Sequence, residues 1–294
     1  MPTFTMMIGL PGAGKSEIAH NREKLLQDTI VLSSDLIRKE LYGDETIQDC
    51  PSKVFDIMNK RAIENLKAER NVIYDATNLR RKNRKHLLSQ IPKNVKKVAC
   101  IVWAKYETCL SRDQARERHV GEDVIRRMIK NFQVPFYDEG WDSILVIMTD
   151  IHYTKNDYEY WVDCNHDNPH HNNTIAEHIN NVVSAALRLD CRHQNEILLA
   201  AKLHDIGKKF TKTFKDANGN VSSIAHYYDH QNVSGYYAIG YEELIGLPIE
   251  VALFVVWLIN AHMEPFFNSK YYKNIPDYLK TSLDLLHQCD VVGA

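Results

Sequence analysis

TFTMMIGLPGAGKSEIAH, residues 3–20, is a short apolar run, a glycine-rich turn and the start of a helical pattern. Within it Gly9-Leu10-Pro11-Gly12-Ala13-Gly14-Lys15-Ser16 fits G-x-x-x-x-G-K-[ST] at every fixed position. A strand before and a helix after is the setting in which such a loop closes its backbone N–H groups on phosphate oxygens. The helix N-terminus adds a favourable field. Gly9, Gly12 and Gly14 permit the close approach. Lys15 is placed to reach the β- and γ-phosphates, and the Ser16 hydroxyl to bind Mg²⁺. The stretch predicts a site for ATP, or another NTP donor.

Outward from the loop, strand-like runs (TIVLSSD, NVIYDAT, KKVACIVWA, DSILVIM) alternate with helical ones such as PSKVFDIMNKRAIENLKAE and RRKNRKHLLSQI. That alternation predicts an α/β domain over residues 1–150, with a parallel sheet covered by helices on both faces. Residues 149–173 are polar and rich in Asn and Asp, which places a boundary there and a linker at 151–165. Residues 166–294 read as an all-α domain, with helices expected at 174–190, 194–205, 230–246, 248–263 and 277–291. The Asn-Gly pair in FKDANGNVSS can tip a small hairpin.

With 44% hydrophobic and 25% charged residues, the 294-residue chain can bury real cores. Its net charge of −2 hides an asymmetry. Residues 1–150 hold 25 Lys and Arg against 21 Asp and Glu; the rest hold 11 against 17, with eleven of the fourteen histidines. A basic half suits anionic substrates, and an acidic, histidine-rich half suits divalent cations. The six cysteines show no C-x-x-C pair and read as scattered thiols of a reducing compartment. The N-terminus lacks the marks of a signal peptide and no apolar stretch approaches membrane-spanning length, so a cytoplasmic protein without a membrane partner is expected.

Three further segments of the first half bear on phosphate chemistry. In VLSSDLIRKELYG, Asp35 follows a strand that should end beside the loop, where a carboxylate can accept the proton of an attacking hydroxyl. Taken alone, Asp35 is equally well a helix N-cap. Arg38 should share its helix face. Between Ala76 and Tyr106 there is no acidic residue and there are nine Lys or Arg. Such a run can follow a nucleic-acid backbone, or simply be a solvated helix face. Arg112 and Arg116, four apart, should share a helix face and suit a lid over phosphates in transit.

GLPGAGKS, SSDLIR, YDATN and the R-x-x-x-R before VIRRM together resemble the kinase domain of polynucleotide 5′-hydroxyl kinases, over residues 5 to about 130. The resemblance implies that Lys15 and Ser16 bind ATP and Mg²⁺ and that Asp35 is the general base. It further implies that Arg38 binds the acceptor-side phosphate and that Arg112 and Arg116 hold ATP phosphates.

The second half is organised around AKLHDIGKKF, residues 201–210. His204 and Asp205 together offer a nitrogen and a carboxylate to one divalent ion from a helix end. Further candidate ligands are His178, His230 (or His226, four residues earlier), His262 and Asp290, each at the edge of an apolar helical pattern where a polar group needs a partner. Lys208, in the turn after the pair, can neutralise a phosphate oxygen. NPHHNNTIAEHI, LAAKLHDIGKK, HYYDHQNVSG and CDVVG, in that order, resemble the HD superfamily of metal-dependent phosphohydrolases, in the version attached to CCA-adding enzymes. The resemblance implies His178, His204, Asp205 and Asp290 as core ligands, with His230 and His262 matching members that bind two metals. Mn²⁺, Ni²⁺, Co²⁺, Zn²⁺ and Fe²⁺ all suit such a set.

A 5′-kinase joined to a phosphohydrolase resembles bifunctional end-healing enzymes. It implies RNA ends bearing a 5′-hydroxyl and a 3′-phosphate or 2′,3′-cyclic phosphate as substrates, and an RNA ligase as functional partner. No stacking platform is evident, so RNA and DNA are not distinguished. Two other readings keep the same motifs: a nucleoside or other small-molecule kinase fused to an HD nucleotide phosphohydrolase, and a non-catalytic module sensing nucleotide and metal.

Overall fold

A computed structural model of the chain describes residues 1–45, 47, 50–168 and 174–293. Residues 170 and 171, the paired histidines of the NPHHNN landmark, lie outside the described residues. The chain forms two compact units. The first comprises Met1–Ile125 and Pro135–Ile151; the second comprises Arg126–Val134 and the chain from His152 onward.

The first unit runs β1 (Thr3–Ile8), α1 (Lys15–Leu25), β2 (Thr29–Ser33), α2 (Ser34–Tyr42), α3 (Pro51–Lys67), β3 (Asn71–Asp75), α4 (Arg81–Leu88), β4 (Lys96–Trp103), α5 (Tyr106–Gln114), the start of α6 (Glu122–Ile129) and β5 (Ser143–Met148). All five strands are parallel, in the order β2-β3-β1-β4-β5. Central β1 buries Phe4, Met6, Met7 and Ile8, because helices cover both faces of the sheet. Its register sets Phe4 against Val72 of β3 and against Lys97 of β4. Strand order reverses at β1, so the loop leaving its C-terminal end sits at the switch point where α/β sheets bind ligands.

Two cations of the expected basic surface run are instead structural. Arg84 is 1% exposed and binds Glu139 through two bonds, Nε at 2.8 Å and Nη2 at 2.6 Å. Its Nη1 donates to the Asn78 and Leu79 carbonyls, and Arg81 Nε lies 3.4 Å from the same carboxylate. Arg84→Ala leaves a fully buried carboxylate without its bidentate partner. Loss of about 3–5 kcal/mol is expected, read as a lowered denaturant midpoint, whereas Lys82→Ala on the same helix should move it little.

The second unit is mainly helical: α7 (Lys155–Val162), α8 (Ile175–Ala186), α9 (Gln194–Leu203), α10 (Lys208–Thr211), α11 (His230–Ile239), α12 (Ile249–Ala261), α13 (Glu264–Phe267), α14 (Lys270–Lys273) and α15 (Asp277–Gly293). It is not all-α. β6 (Thr213–Lys215) and β7 (Val221–His226) pair antiparallel around a turn in which the Asp216 carboxylate accepts from Asn218 and Asn220 N–H.

The segment 151–165, expected as a linker, carries α7. Thr154 and Asp157 form a reciprocal capping box, and Trp161 stacks on Tyr237 at 4.6 Å and 11°. Its polar composition hides three aromatic anchors, Tyr153, Tyr158 and Trp161, which meet the rings of Tyr237 and Tyr241. A further departure from the expected boundary is that 126–134 packs with the second unit. Buried Asn260 accepts from Val134 N at 2.8 Å and donates to the Phe132 carbonyl at 3.2 Å.

Ile249–Phe267 is, by length and composition, apolar enough to cross a bilayer, contrary to the sequence expectation. Here it is a core helix: every position from Ala252 to Ala261 is buried. Fully burying residues such as Leu253, Val256 and Leu258 stabilises by roughly 1.5–3 kcal/mol each.

Candidate functional sites

In the first unit, Gly9 to Gly14 turn from β1 into α1 as the spacing predicts. Gly12 has φ +80°, and a Cβ there would meet the Cys109 carbonyl oxygen at 2.4 Å, so only glycine fits. Lys15 is buried and donates to the Leu10 carbonyl at 2.8 Å, across its own loop. Burial pushes its ammonium pKa down, while the Asp75 carboxylate opposes the shift. Ser16 Oγ donates to Asp75 Oδ2 at 2.7 Å. Asp75, 5% exposed at the end of β3, was not singled out from sequence. The signal was present, since an acid closing an apolar strand beside such a loop is placed to offer a second oxygen to Mg²⁺.

Asp35 is not the N-cap of α2. Ser33 is, with its hydroxyl accepting from Asp35 N–H at 3.3 Å. Asp35 is left half-exposed, paired with Arg38 at 2.7 Å and with Arg118 at 3.5 Å. Arg118 was not singled out from sequence.

Arg112 and Arg116 do not share a helix face. α5 ends at Gln114, and the buried Asp113 carboxylate draws the chain back by accepting from Val120 and Gly121 N–H at 2.9–3.0 Å. Arg112 is tied to Thr149 and to the Gly12 carbonyl, bracing the loop. Arg116 is exposed, yet close enough to contribute to the lowering of the Lys15 pKa.

The second unit brings six predicted residues together, all at most 8% exposed. α8 supplies His178, the end of α9 His204 and Asp205, α11 His230, the end of α12 His262, and α15 Asp290. Asp205 is the centre. Its Oδ2 lies 3.3 Å from His178 Nε2 and 3.2 Å from His204 Nε2; Asp290 Oδ1 lies 3.1 Å and 3.5 Å from the same two nitrogens. Its Oδ1 lies 3.2 Å from His230 Nε2 and 3.9 Å from His262 Nε2.

The tautomers are set by the backbone. Each Nδ1 faces a main-chain carbonyl: His178 that of Gly293 at 3.1 Å, His204 that of Ala201 at 2.8 Å, His230 that of Tyr227 at 2.9 Å, and His262 that of Ile259 at 2.7 Å. A carbonyl only accepts, so in the neutral rings each Nδ1 carries the proton and each Nε2 turns a lone pair inward. His178 and His204 then face lone pair to lone pair at 3.3 Å, as do His230 and His262 at 3.2 Å. Such an array is repulsive unless a cation or a proton lies within it. Donor atoms sharing one ion with bonds of about 2.1 Å lie about 3.0–3.4 Å apart, which matches these separations. Both Asp205 oxygens are buried without a well-angled hydrogen bond, although Lys208 Nζ approaches Oδ2 at 2.6 Å. The residues fit one or two divalent ions, with Asp205 shared between His178, His204 and Asp290 on one side and His230 and His262 on the other.

In the bare cluster a proton on His204 relieves this repulsion. Burial lowers the His204 pKa, but the Asp205 and Asp290 carboxylates outweigh it and raise the pKa to about 10. Burial, with the charges of His204 and His230, takes His262 down to about 3. Burial raises Asp205, yet His204 and Lys208 hold it well below the usual carboxylate range.

His226 is not a ligand. It stacks on Tyr228 at 6° and its Nε2 meets Ser222 Oγ at 3.1 Å. His166, missed from sequence because it lies in the polar stretch taken as a boundary, is 1% exposed and reaches Lys208.

Gly207 follows the His-Asp pair where α10 crosses α11. A Cβ there would meet the His230 carbonyl oxygen at 2.5 Å and Ser234 N at 2.7 Å. Gly207→Ala is expected to push α11 outward at a cost of about 1–3 kcal/mol. A Mn²⁺ titration should show the sites involving His230 weakened more than those involving His178.

Residues 4–135 match the AAA domain family. No curated protein matches the chain. Among solved structures, the Pnkp1/Rnl/Hen1 complex is similar over 42% of this chain and 42% of that one, at 20% identity and TM-score 0.36. A second structure, of the Pnkp1/Rnl/Hen1 RNA repair complex, aligns over 44% and 43%, at 18% identity and TM-score 0.40. A gluconokinase from Sinorhizobium meliloti 1021 aligns over 50% and 82%, at 16% identity and TM-score 0.37. The chain thus spans less than half the length of the first two. The first unit is a parallel α/β domain with a phosphate-binding loop.

Proposed function

We propose that the chain heals both ends of broken RNA, phosphorylating 5′-hydroxyl ends in the first unit and hydrolysing 3′-phosphate or 2′,3′-cyclic phosphate ends in the second. The observation that carries the pairing is the convergence of four histidines on Asp205, with Asp290 beside two of them, in a chain that also holds a complete phosphate loop. We read the second unit as an HD-type phosphohydrolase, and an RNA ligase as the enzyme that uses the healed ends.

In the kinase unit, ATP with Mg²⁺ supplies the transferable phosphoryl group. Lys15 and the loop N–H groups hold its phosphates, and Ser16 with Asp75 offers oxygen ligands to Mg²⁺. Asp35 accepts the proton of the 5′-hydroxyl as the new O–P bond forms and the bond to the leaving diphosphate breaks. Arg38 fixes Asp35 and lies beside the acceptor phosphate.

In the second unit, divalent ions supply Lewis-acid chemistry at the phosphate. His178, His204, Asp205 and Asp290 would hold one, and His230 and His262 with Asp205 a second. The four carbonyl bonds at Nδ1 keep the rings turned inward.

A small-molecule kinase reading gains from one observation: the burial of Arg81 and Arg84 removes two cations from the surface on which RNA was expected to lie. One experiment separates the readings. A short RNA with a 5′-hydroxyl and a 2′,3′-cyclic phosphate is incubated with the protein, ATP, Mg²⁺ and Mn²⁺, and its mass is measured. A gained 5′-phosphate with an opened or removed terminal phosphate supports end healing. An unchanged RNA, with metal shown to be bound, sinks it in favour of nucleosides and free nucleotides as substrates.

A further inference from the structure

Lys208 carries a buried ammonium, 6% exposed, at the edge of the histidine–aspartate cluster. An ammonium has three N–H donors and no acceptor. One approaches Asp205 Oδ2 at 2.6 Å and a second meets His166 Nε2 at 3.3 Å. The Tyr227 ring lies under the charge, 5.6 Å from its centroid. No partner for the third donor occurs among the described residues.

His166 is held as firmly as any ligand in the cluster. Its carbonyl accepts from Tyr227 Oη. The residues after it are pinned to β7: Ala225 N–H donates to the Asp167 carbonyl at 2.8 Å, and Asn168 Nδ2 to the Ala225 carbonyl at 3.0 Å. Asp167 takes φ +47°, a left-handed turn that keeps the chain there. Facing an ammonium, His166 Nε2 must be an acceptor. Its ring edge lies against His178, with centroids 5.7 Å apart, and its Nε2 is given to Lys208.

We infer that His166 is a positioning residue that holds the Lys208 ammonium at the rim of the cluster, where its remaining donor binds an oxygen of a tetrahedral phosphate. The inference rests on the phosphohydrolase reading of the same cluster. It adds a separate anchor for the substrate's phosphate, supplied by the chain's own charge. When ions draw on the Asp205 carboxylate, Lys208 loses part of its pairing with that oxygen. His166 is then the contact that keeps the ammonium in place.

The test uses the full-length protein loaded with Mn²⁺ and inorganic phosphate as the probe. Phosphate is measured as a competitive inhibitor of phosphomonoester hydrolysis, and directly by the broadening of its ³¹P resonance near bound Mn²⁺. The proteins compared are wild type, His166→Ala, Lys208→Ala, the double variant and His166→Gln. His166→Ala and Lys208→Ala should each weaken phosphate about tenfold, and the double variant no further. His166→Gln, whose amide oxygen can accept the ammonium N–H, should recover most of the affinity. Additive losses, an unaltered His166→Ala, or a His166→Ala protein that has lost Mn²⁺ would overturn the inference. The broadening arm needs no turnover. If no ester is hydrolysed while phosphate still binds through Lys208 and His166 together, the phosphohydrolase reading fails and the positioning role stands.

Discussion

Asp205→Ala is expected to abolish hydrolysis of 3′-phosphate and 2′,3′-cyclic phosphate ends, by about a thousandfold or more, while leaving 5′ phosphorylation intact. No other residue of the cluster faces both histidine pairs: its Oδ2 meets His178 and His204, and its Oδ1 meets His230 and His262. Removing it should therefore cost both ions, where loss of His262 should cost chiefly one. Metal content after dialysis, measured beside activity, checks this directly. Asp205→Ala also strands the buried Lys208 charge, so Asp205→Asn is the companion variant that keeps the volume filled. It should stay folded, bind Mn²⁺ poorly and hydrolyse little. Removing the metal from wild type with a chelator should reproduce the loss, and added Mn²⁺ should restore it. An Asp205→Asn protein with full metal content and full activity would sink the metal reading.

Asp35→Ala should lower 5′ phosphorylation by about a hundred- to ten-thousandfold, the range spanned by losing a general base. ATP binding should persist, because the groups proposed to hold it (Lys15, Ser16 and the loop N–H groups) are not hydrogen-bonded to Asp35. Half of the Asp35 side chain is exposed and Ser33, not Asp35, caps α2, so stability should change by well under about 1 kcal/mol. The check is a turnover assay with a saturating 5′-hydroxyl acceptor, run beside an ATP-binding titration. Phosphorylation at the wild-type rate would remove Asp35 from the chemistry and leave it as a tether for Arg38 and Arg118.

Much of the architecture was legible because it is written in local terms. The phosphate loop fixes its own backbone through glycines, and the strands of a parallel sheet are unbroken apolar runs. In the second unit, His178, His204, Asp205, His230, His262 and Asp290 each stood out as a polar residue at the edge of an apolar helical face. What the sequence hid was long-range. His166 and Trp161 sit in a stretch whose Asn and Asp content signals a loop, and distant partners such as Lys208 and Tyr237 make them core. Arg84 belongs to a run of cations, and Glu139, 55 residues away, turns it inward. Arg112 and Arg116, expected on one helix face, were misplaced for a similar reason: the Asp113 carboxylate, accepting from Val120 and Gly121 N–H, ends α5 where helical spacing alone would have continued it. His226 and His230 were equivalent in spacing; a carbonyl bond from Tyr227 selects His230.

The return of residues 126–134 to the second unit bears on how such a chain could arise or be divided. A gene encoding residues 1–150 alone would carry Phe132 and Val134 but not Asn260, which binds both. A gene beginning at 151 would carry Asn260 with two of its three backbone partners missing. No single cut yields two complete halves. Two units interleaved in this way cannot be separated by one point of fission, so whatever each of them does stays on one chain, in fixed one-to-one proportion.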